Sequence, residues 1–284
     1  MTAELLAELR PLLHRYCARM MGSVADGEDV VQDTLERALA TLGTPQAPTT
    51  PTELRRWLFR VAHNRAIDLV RGAAIREADP IDDAHETGAP GADDLLAEAD
   101  AVRAALARFL ELPPVPRSCL ILKDVLGHSL EEIAVDTDLS IATVKAALHR
   151  GRAKLRELGD AASREPAAGE PSPVLARYAQ LFNARDWDGV RAMLADDVAL
   201  DVATRIRRTG RRDVGIYFTN YAASFADPAR RVAPVWLDGR EVLAAYRGDR
   251  VEYVIAITIA GEHVAAIRDF FHLPYITRDA RFTS

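Results

Sequence analysis

The residues best suited to chemistry lie between Leu126 and Arg156, in LGHSLEEIAVDTDLSIATVKAALHRGRAKLR. Thr143, Lys145, His149, Arg150 and Arg152 cluster there, a set of hydroxyl, imidazole and cationic groups. Such groups donate to phosphate oxygens and to base edges, so the chemistry they suggest is nucleic-acid recognition rather than bond cleavage. The elements that must hold them are readable. Ser129 is followed three residues later by Glu132, the capping-box spacing, in which each side chain accepts from the other residue's backbone N–H. Leu130, Ile133 and Ala134 then share one face at helical period. Asp138-Leu139-Ser140 breaks the pattern, and Ser140 is placed to cap a second helix from Ile141 to about Arg152. Val144 and Leu148 turn inward and the polar set occupies other faces. This is the layout of a helix-turn-helix, whose second helix enters the major groove. A solvated corner of a helical domain would carry the same pattern.

The string EEIA…LS…TVK..LHR.R resembles region 4 of bacterial sigma factors, over about Leu106 to Leu158. It departs from that family at two places. Asp138 stands where glycine is usual, and Asp tolerates a left-handed conformation at modest cost. Ala146 and Ala147 follow Lys145 where polar or basic residues are frequent, so base reading there would either be weaker or use thymine methyl groups. The resemblance implies that Thr143, Lys145, His149, Arg150 and Arg152 contact the −35 promoter element.

The 284 residues allow two or three domains, and 49% hydrophobic with 27% charged residues is ordinary for a folded protein. A net charge of −6 argues against a protein that coats nucleic acid, though not against a local basic reading surface. Cys17 and Cys119 are the only cysteines, so neither a disulfide framework nor a metal-ligand cluster is suggested, and no cofactor is expected. The start carries no basic, then apolar, export signal, and the longest apolar run, Tyr253–Ala260, is too short to span a bilayer. A cytoplasmic protein with no membrane contact is expected.

Residues 1–75 read as helices. Leu5, Leu6, Leu9, Leu12, Leu13, Tyr16 and Met20 mark a first helix ending near Gly22. Asp26-Gly27-Glu28-Asp29 opens a second, its acidic residues favoured by the helix dipole, with Val30, Val31, Thr34, Leu35, Ala38 and Leu42 inward. After a Pro/Thr-rich loop, Glu53–Arg71 forms a third, with Leu54, Trp57, Leu58, Val61, Ile67 and Leu69 buried. DGEDVVQDTLERAL and WLFRVAHNRAIDLVR resemble sigma region 2. By that resemblance Asp29, Gln32 and Asp33 contact core RNA polymerase. Asn64 reads an unstacked base of the melted −10 element, with Arg60, Arg65 and Arg71 near its phosphates.

Residues 76–100 are acidic and interrupted by proline and glycine, the composition of a linker, and 101–158 hold the region 4 resemblance. Residues 159–173 form a Pro/Gly-rich connector. Residues 174–284 change grammar: two amphipathic helices, a strand, the helix-like GRRDVGIYFTNYAASF, then strands at Arg231–Trp236, Glu241–Tyr246, Val251–Ile259 and His263–His272. Turn signals at Asp238-Gly239, Gly248-Asp249 and Gly261-Glu262 separate these strands, and a curved antiparallel sheet is expected. FNARDWDGVRAMLADDV and VAAIRDFFHLPYI resemble the SnoaL-like, nuclear-transport-factor-2-like cone fold. The expected fold is therefore multidomain: two all-α sigma domains, a region 2 helical bundle and a region 4 helix-turn-helix, followed by an α+β cone-fold domain.

The cone fold wraps a pocket, for which Asp201, Tyr217 and Asp269 are candidates, joined by Arg205 and His272. Asp269 and His272 should face apart, because strand residues alternate. The resemblances imply an extracytoplasmic-function (ECF) sigma factor. Its partners would be core RNA polymerase and promoter DNA, with a small molecule possible in the fused domain. The fused domain would act as a built-in regulator rather than an enzyme. Two rivals stand beside it: a helix-turn-helix regulator acting without polymerase, and a SnoaL-type enzyme or ligand sensor joined to a DNA-binding module.

Overall fold

Apolar residues recurring at helical period turn Thr2–Met21 into a first helix, α1, which buries Leu9, Leu13, Tyr16, Cys17 and Met20. The computed structural model describes residues 2–42, 44, 47–77, 109–158, 171–203, 205–224, 227, 229–237, 240–277 and 282–283. Its contacts divide the chain into two units, Met1–Arg164 and Glu165–Ser284.

Helix α2, Val24–Thr41, begins before the acidic run because Ser23 is its cap: the Ser23 hydroxyl accepts from the Asp26 N–H at 3.2 Å. Gly27 lets α2 lie against α1, since a Cβ there would come within 2.5 Å of the Ala18 Cα. Glu28, one of the acidic residues expected at the start of this helix for its dipole, is fully buried and paired with Arg10. Helix α3, Pro51–Glu77, runs past Arg71 and takes in the first two residues expected of the linker. Trp57, Val61 and Leu69 are only half-buried, whereas Phe59, Ala62 and Ala66 are fully inside. One stripe was expected; α3 has neighbours on more than one side, so its buried surface is wider and rotated. Leu12, also expected to pack, is 36% exposed.

Helix α4, Pro114–Leu120, continues as a π-helical stretch, Ile121–Val125, and is followed by α5, Leu130–Thr137, and α6, Ile141–Leu158. Helix α6 outlasts its expected end at Arg152, with Leu155 packed on the core. Gly151 admits the Leu120 side chain, which a Cβ would meet at 2.5 Å. Leu13, Leu58, Leu120, Ile133 and Leu148 belong to one hydrophobic cluster running through α1 to α6. The two expected helical domains thus share a core. Of the expected linkers, residues 78–100 and 159–170 lie outside the described residues.

In the second unit, α7, Pro173–Asn183, is capped by Ser172, and α8, Trp187–Ala192, by Asp186. The remaining elements are β1 (Leu194–Val202), β2 (Ile206–Thr209), α9 (Arg211–Ser224), β3 (Arg230–Leu237), β4 (Arg240–Arg247), β5 (Arg250–Ala260), β6 (His263–Asp269) and β7 (Phe282–Thr283). The sheet order is β2-β1-β6-β5-β4-β3-β7. The sheet is not purely antiparallel. β1 and β6 run parallel, Leu200 beside Ile267, because the chain leaves β1, makes the β3–β4–β5 meander and returns in the same direction. Register shifts within the β1–β6, β4–β5 and β5–β6 pairs curve the sheet. Tyr178, Phe182, Val190, Val214 and Phe218 of the helices share a core with Val198, Leu200, Leu243, Tyr253 and Ile267 of the strands. The last long strand stops at Asp269 rather than His272, and β2 and β7 carry no alternation long enough to foretell them. Gly248 and Gly261 turn with φ of 59° and 62°, while the Asp238-Gly239 turn lies outside the described residues.

Candidate nucleic-acid interface

The hairpin of α5 and α6 is fixed at both helix starts. The Ser129 hydroxyl accepts from the Glu132 N–H at 3.1 Å, and the Glu132 carboxylate accepts from the Ser129 N–H at 2.8 Å. The Ser129 N–H holds the Glu132 carboxyl below its ordinary range. Asp138 takes the left-handed conformation, φ 59°, that the missing glycine would have taken. The Ser140 hydroxyl accepts from the Thr143 N–H at 3.1 Å and starts α6.

Val144, Ala147, Leu148 and Gly151 are buried, which aims the opposite face of α6 outward. Thr143, Lys145, Ala146 and Arg150 are exposed and His149 is half-buried. One expectation is corrected here, and one candidate side chain has a partner within the protein. Ala147 faces the core, so no thymine contact can come from it, because its position follows Val144 by three residues on the packed stripe. Arg152 is paired with Asp124, with Nη2 at 2.9 Å from the carboxylate, and braces α6 on the π-helical stretch that follows α4.

On α3, Arg60, Asn64 and Arg71 are exposed, and their four- and seven-residue spacings put them along one face. The Arg60 guanidinium donates to the Val135 carbonyl at 3.0 Å. Arg65 departs from this set: its Nε lies 2.8 Å from the Asp33 carboxylate, so a candidate phosphate contact and a candidate polymerase contact neutralise one another. Asp29 is exposed, and Gln32 donates to Glu36 at 3.3 Å.

Sequence reasoning missed the polar groups beneath these faces. Tyr16, His63 and Ser118 come from α1, α3 and α4 and meet inside, with the Tyr16 hydroxyl 2.8 Å from Ser118 Oγ and Ser118 Oγ 2.8 Å from His63 Nδ1. Burial and the Arg71 charge push the His63 imidazole down to about 4. Arg117 is 4% exposed and donates to the carbonyls of Met20, Leu110 and Leu112. Burial lowers its guanidinium to about 10. His128, also buried, contacts Asp136 at 2.9 Å. His63, Arg117, Ser118 and His128 look like surface residues in a one-dimensional pattern, and Tyr16 reads there as part of an apolar face, since only tertiary neighbours reveal the partner.

In the second unit the structure brings together Tyr217 and Asp269 but not Asp201. The Asp269 carboxylate is 1% exposed and accepts from the Tyr217 hydroxyl and from the Phe271 N–H, the latter at 2.7 Å. Burial and this carboxylate push the Tyr217 phenol well up, and burial does the same to nearby Tyr178. Asp201 stands on the β1–β2 ladder, 3.5 Å from Arg207. His272 is exposed, apart from the buried Asp269, and partial desolvation, then the Arg205 charge, lower its imidazole. Among the described residues no group of three or more His, Cys, Asp or Glu is arranged to hold a metal ion. No helix of the described residues is long and apolar enough to cross a membrane.

The family described as Sigma-70 region 2 matches residues 5–75, and that described as Sigma-70, region 4 matches residues 103–155. The ECF RNA polymerase sigma factor SigL of Mycobacterium tuberculosis is 34% identical over 161 residues, covering 52% of this chain and 85% of that protein. The ECF RNA polymerase sigma factor SigE of Mycolicibacterium smegmatis is 30% identical over 157 residues, 54% of this chain; the chain spans 60% of that relative's length. Among solved structures, the extracytoplasmic function sigma factor SigJ of Mycobacterium tuberculosis aligns over 98% of both chains, at 21% identity and a TM-score of 0.37.

Proposed function

Because the chain belongs to the extracytoplasmic-function group of sigma-70 factors, we propose that it binds core RNA polymerase and directs promoter-specific initiation of transcription. The observation that carries this is the joint occurrence, in order, of both sigma regions with a fully capped helix-turn-helix whose outward face presents Thr143, Lys145 and Arg150. In this reading α6 enters the major groove of the −35 element and α3 presents Asn64 to an unstacked base of the −10 element. Arg60 and Arg71 hold the adjacent phosphates, and Asp29 and Gln32 face polymerase. Arg65 and Asp33 position α3 on α2 instead of contacting either partner.

The second unit we take to be a SnoaL-like cone that regulates the sigma regions in cis. Tethering supplies its force, because a module joined by a short connector acts at millimolar effective concentration. The test is anisotropy of labelled protein titrated with core polymerase, for the full chain and for residues 1–164. Tighter binding by the shorter form is expected. Equal binding and equal transcription by the two removes the regulatory role, and binding by neither removes the sigma-factor reading.

The buried Asp269–Tyr217 pair favours a second reading for this unit alone, that it holds a small polar ligand. A carboxyl group in an apolar interior donates or accepts one hydrogen bond with high selectivity. A ligand that raises the melting temperature of the full chain and not of the Asp269→Asn variant would establish it.

A further inference from the structure

Arginines gather at one corner of the second unit. Arg205, Arg207, Arg208, Arg211 and Arg212 fall within eight residues, with no lysine among them. Arg207 and Arg208 lie in β2, Thr209-Gly210 turns the chain, and Arg211 and Arg212 open α9. All five are exposed, and β2 is the edge strand of its sheet. The corner itself is tightly held. Gly210 takes φ 94°, a value that favours glycine, and its N–H donates to the Val198 carbonyl at 2.8 Å. The Val214 N–H donates back to the Gly210 carbonyl at 3.0 Å and starts α9. In the β1–β2 ladder Arg207 stands beside Asp201 and Arg208 beside Leu200. A fixed backbone leaves only side chains to be ordered when a ligand arrives.

The nearby carboxylates do not answer the whole set. Asp201 lies 3.5 Å from Arg207 and Asp196 lies 3.3 Å from Arg211, both longer than a charged hydrogen bond. Asp197 of β1 and Asp213 of α9 form no ion pair among the described residues. The side chains of Arg205, Arg208 and Arg212 likewise have neither a hydrogen bond nor an ion pair among the described residues. Like charges held this close cost free energy until an anion meets them. A guanidinium is forked and always charged, so it takes phosphate oxygens in pairs where lysine offers a point charge. Residues 159–172 join α6 to α7, and fully extended they reach about 50 Å. Duplex flanking an element held by α6 therefore stays within range of the corner.

We propose that this corner is a second nucleic-acid-binding surface, which holds the phosphate backbone of duplex DNA flanking the −35 element without reading its sequence. The proposal rests on the sigma-factor reading above, because α6 must bring the duplex. Contacts of this kind position a protein on DNA and add salt-dependent affinity, whatever the bases. Arginine on an edge strand also blocks pairing with another strand, and that role predicts a different outcome below.

The experiment uses holoenzyme assembled from core polymerase and the full chain, on a genomic fragment from which that holoenzyme initiates. Affinity is measured across a salt series, for the wild type and for a chain carrying Arg205→Gln, Arg208→Gln and Arg212→Gln together. The slope of log affinity against log salt is expected to fall by about 2–3, at about 0.9 per phosphate contact. Lysine at the same three positions should keep most of the slope, since charge rather than packing sets it. Affinity for core polymerase without DNA should not move. Arg150→Ala is the reference, with an expected loss of about 0.9 from α6. An unchanged slope in the glutamine variant while the reference responds overturns the proposal and leaves the sigma-factor reading intact. Self-association of that variant at unchanged slope also overturns it and assigns the arginines to guarding the free edge. Weakened binding to core polymerase alone places the corner on protein and overturns it as well. No slope change in either variant, or no binding of core by the wild-type chain, overturns both readings.

Discussion

Lowering the pH from 7 to 5 should weaken the helical unit by about 2 kcal/mol through His63 alone. The ring is 6% exposed and is held at about 4, against about 6.5 in an unfolded chain. A neutral ring satisfies its polar neighbours, because an unprotonated Nδ1 can accept from the Ser118 and Tyr16 hydroxyls that lie 2.8 and 3.1 Å away. Between these two values the unfolded chain binds the proton and the folded chain refuses it. Stability is therefore fully present above about pH 6.5 and falls as pH drops towards 4, by up to about 1.4 kcal/mol per unit. At pH 5 the unfolded imidazole is almost wholly protonated and the folded one about a tenth, which gives a loss near 2 kcal/mol; at pH 4 it reaches about 3 kcal/mol. Carboxylates titrate in the same range, so the assay is a difference. Urea midpoints are measured at pH 7 and pH 5 for the wild-type chain and for His63→Gln, whose amide occupies the site without titrating. With a slope of about 2–3 kcal/mol per molar urea, the wild-type midpoint should fall by about 0.7–1 M more than that of the variant. Equal pH shifts in the two proteins would refute the assignment of a buried neutral imidazole.

Arg117→Ala strips donors from the carbonyls of Met20, Leu110 and Leu112 and should cost about 3–5 kcal/mol, read as a lowered urea midpoint; Arg117→Lys, with a single nitrogen, should recover only part of it. Ser129→Ala opens the capping box and should cost about 1 kcal/mol in the same assay. Arg150→Ala should reduce the slope of log affinity against log salt for holoenzyme on promoter DNA by about 0.9, one phosphate contact, whereas Arg152→Ala should leave the slope unchanged and lower stability, because its guanidinium is held by Asp124.

The helix-turn-helix was legible because its signals are local. Ser129 with Glu132, the break at Asp138-Leu139-Ser140, and Val144 with Leu148 all act within a turn or two, and the structure keeps each of them. The start of α2 was misplaced because an acidic run and a serine cap compete for the same signal, and the hydrogen bond from Asp26 N–H to Ser23 decides it. The roles of Arg152 and Arg65 were not legible, since a basic residue on a helix reads identically whether its partner is a phosphate or an Asp on a neighbouring element. Parallel pairing of β1 with β6 was invisible for a related reason. Alternation sets which residues face the core, but it carries no record of strand direction. In the fused unit, Tyr217 and Asp269 were named together from the fold resemblance, and only the turn of β6 into Phe270 and Phe271 explains how their side chains meet.

That parallel pair also fixes an order of events during synthesis. Every partner in the helix-turn-helix, and every helix it packs on, has left the ribosome once Leu158 has emerged. Strand β1 must wait for His263–Asp269 before it gains its second neighbour. At about 5–20 residues per second the intervening hundred or so residues take roughly 5–20 s, long against the folding time of a small helical body. Each newly made molecule therefore passes through an interval in which its promoter-reading half is complete and its fused domain is not. On the proposed regulatory role, control by that domain would begin only after the interval ends, and slowing translation across the β3–β6 meander would lengthen the time during which a nascent sigma factor is answerable to nothing but its own helices.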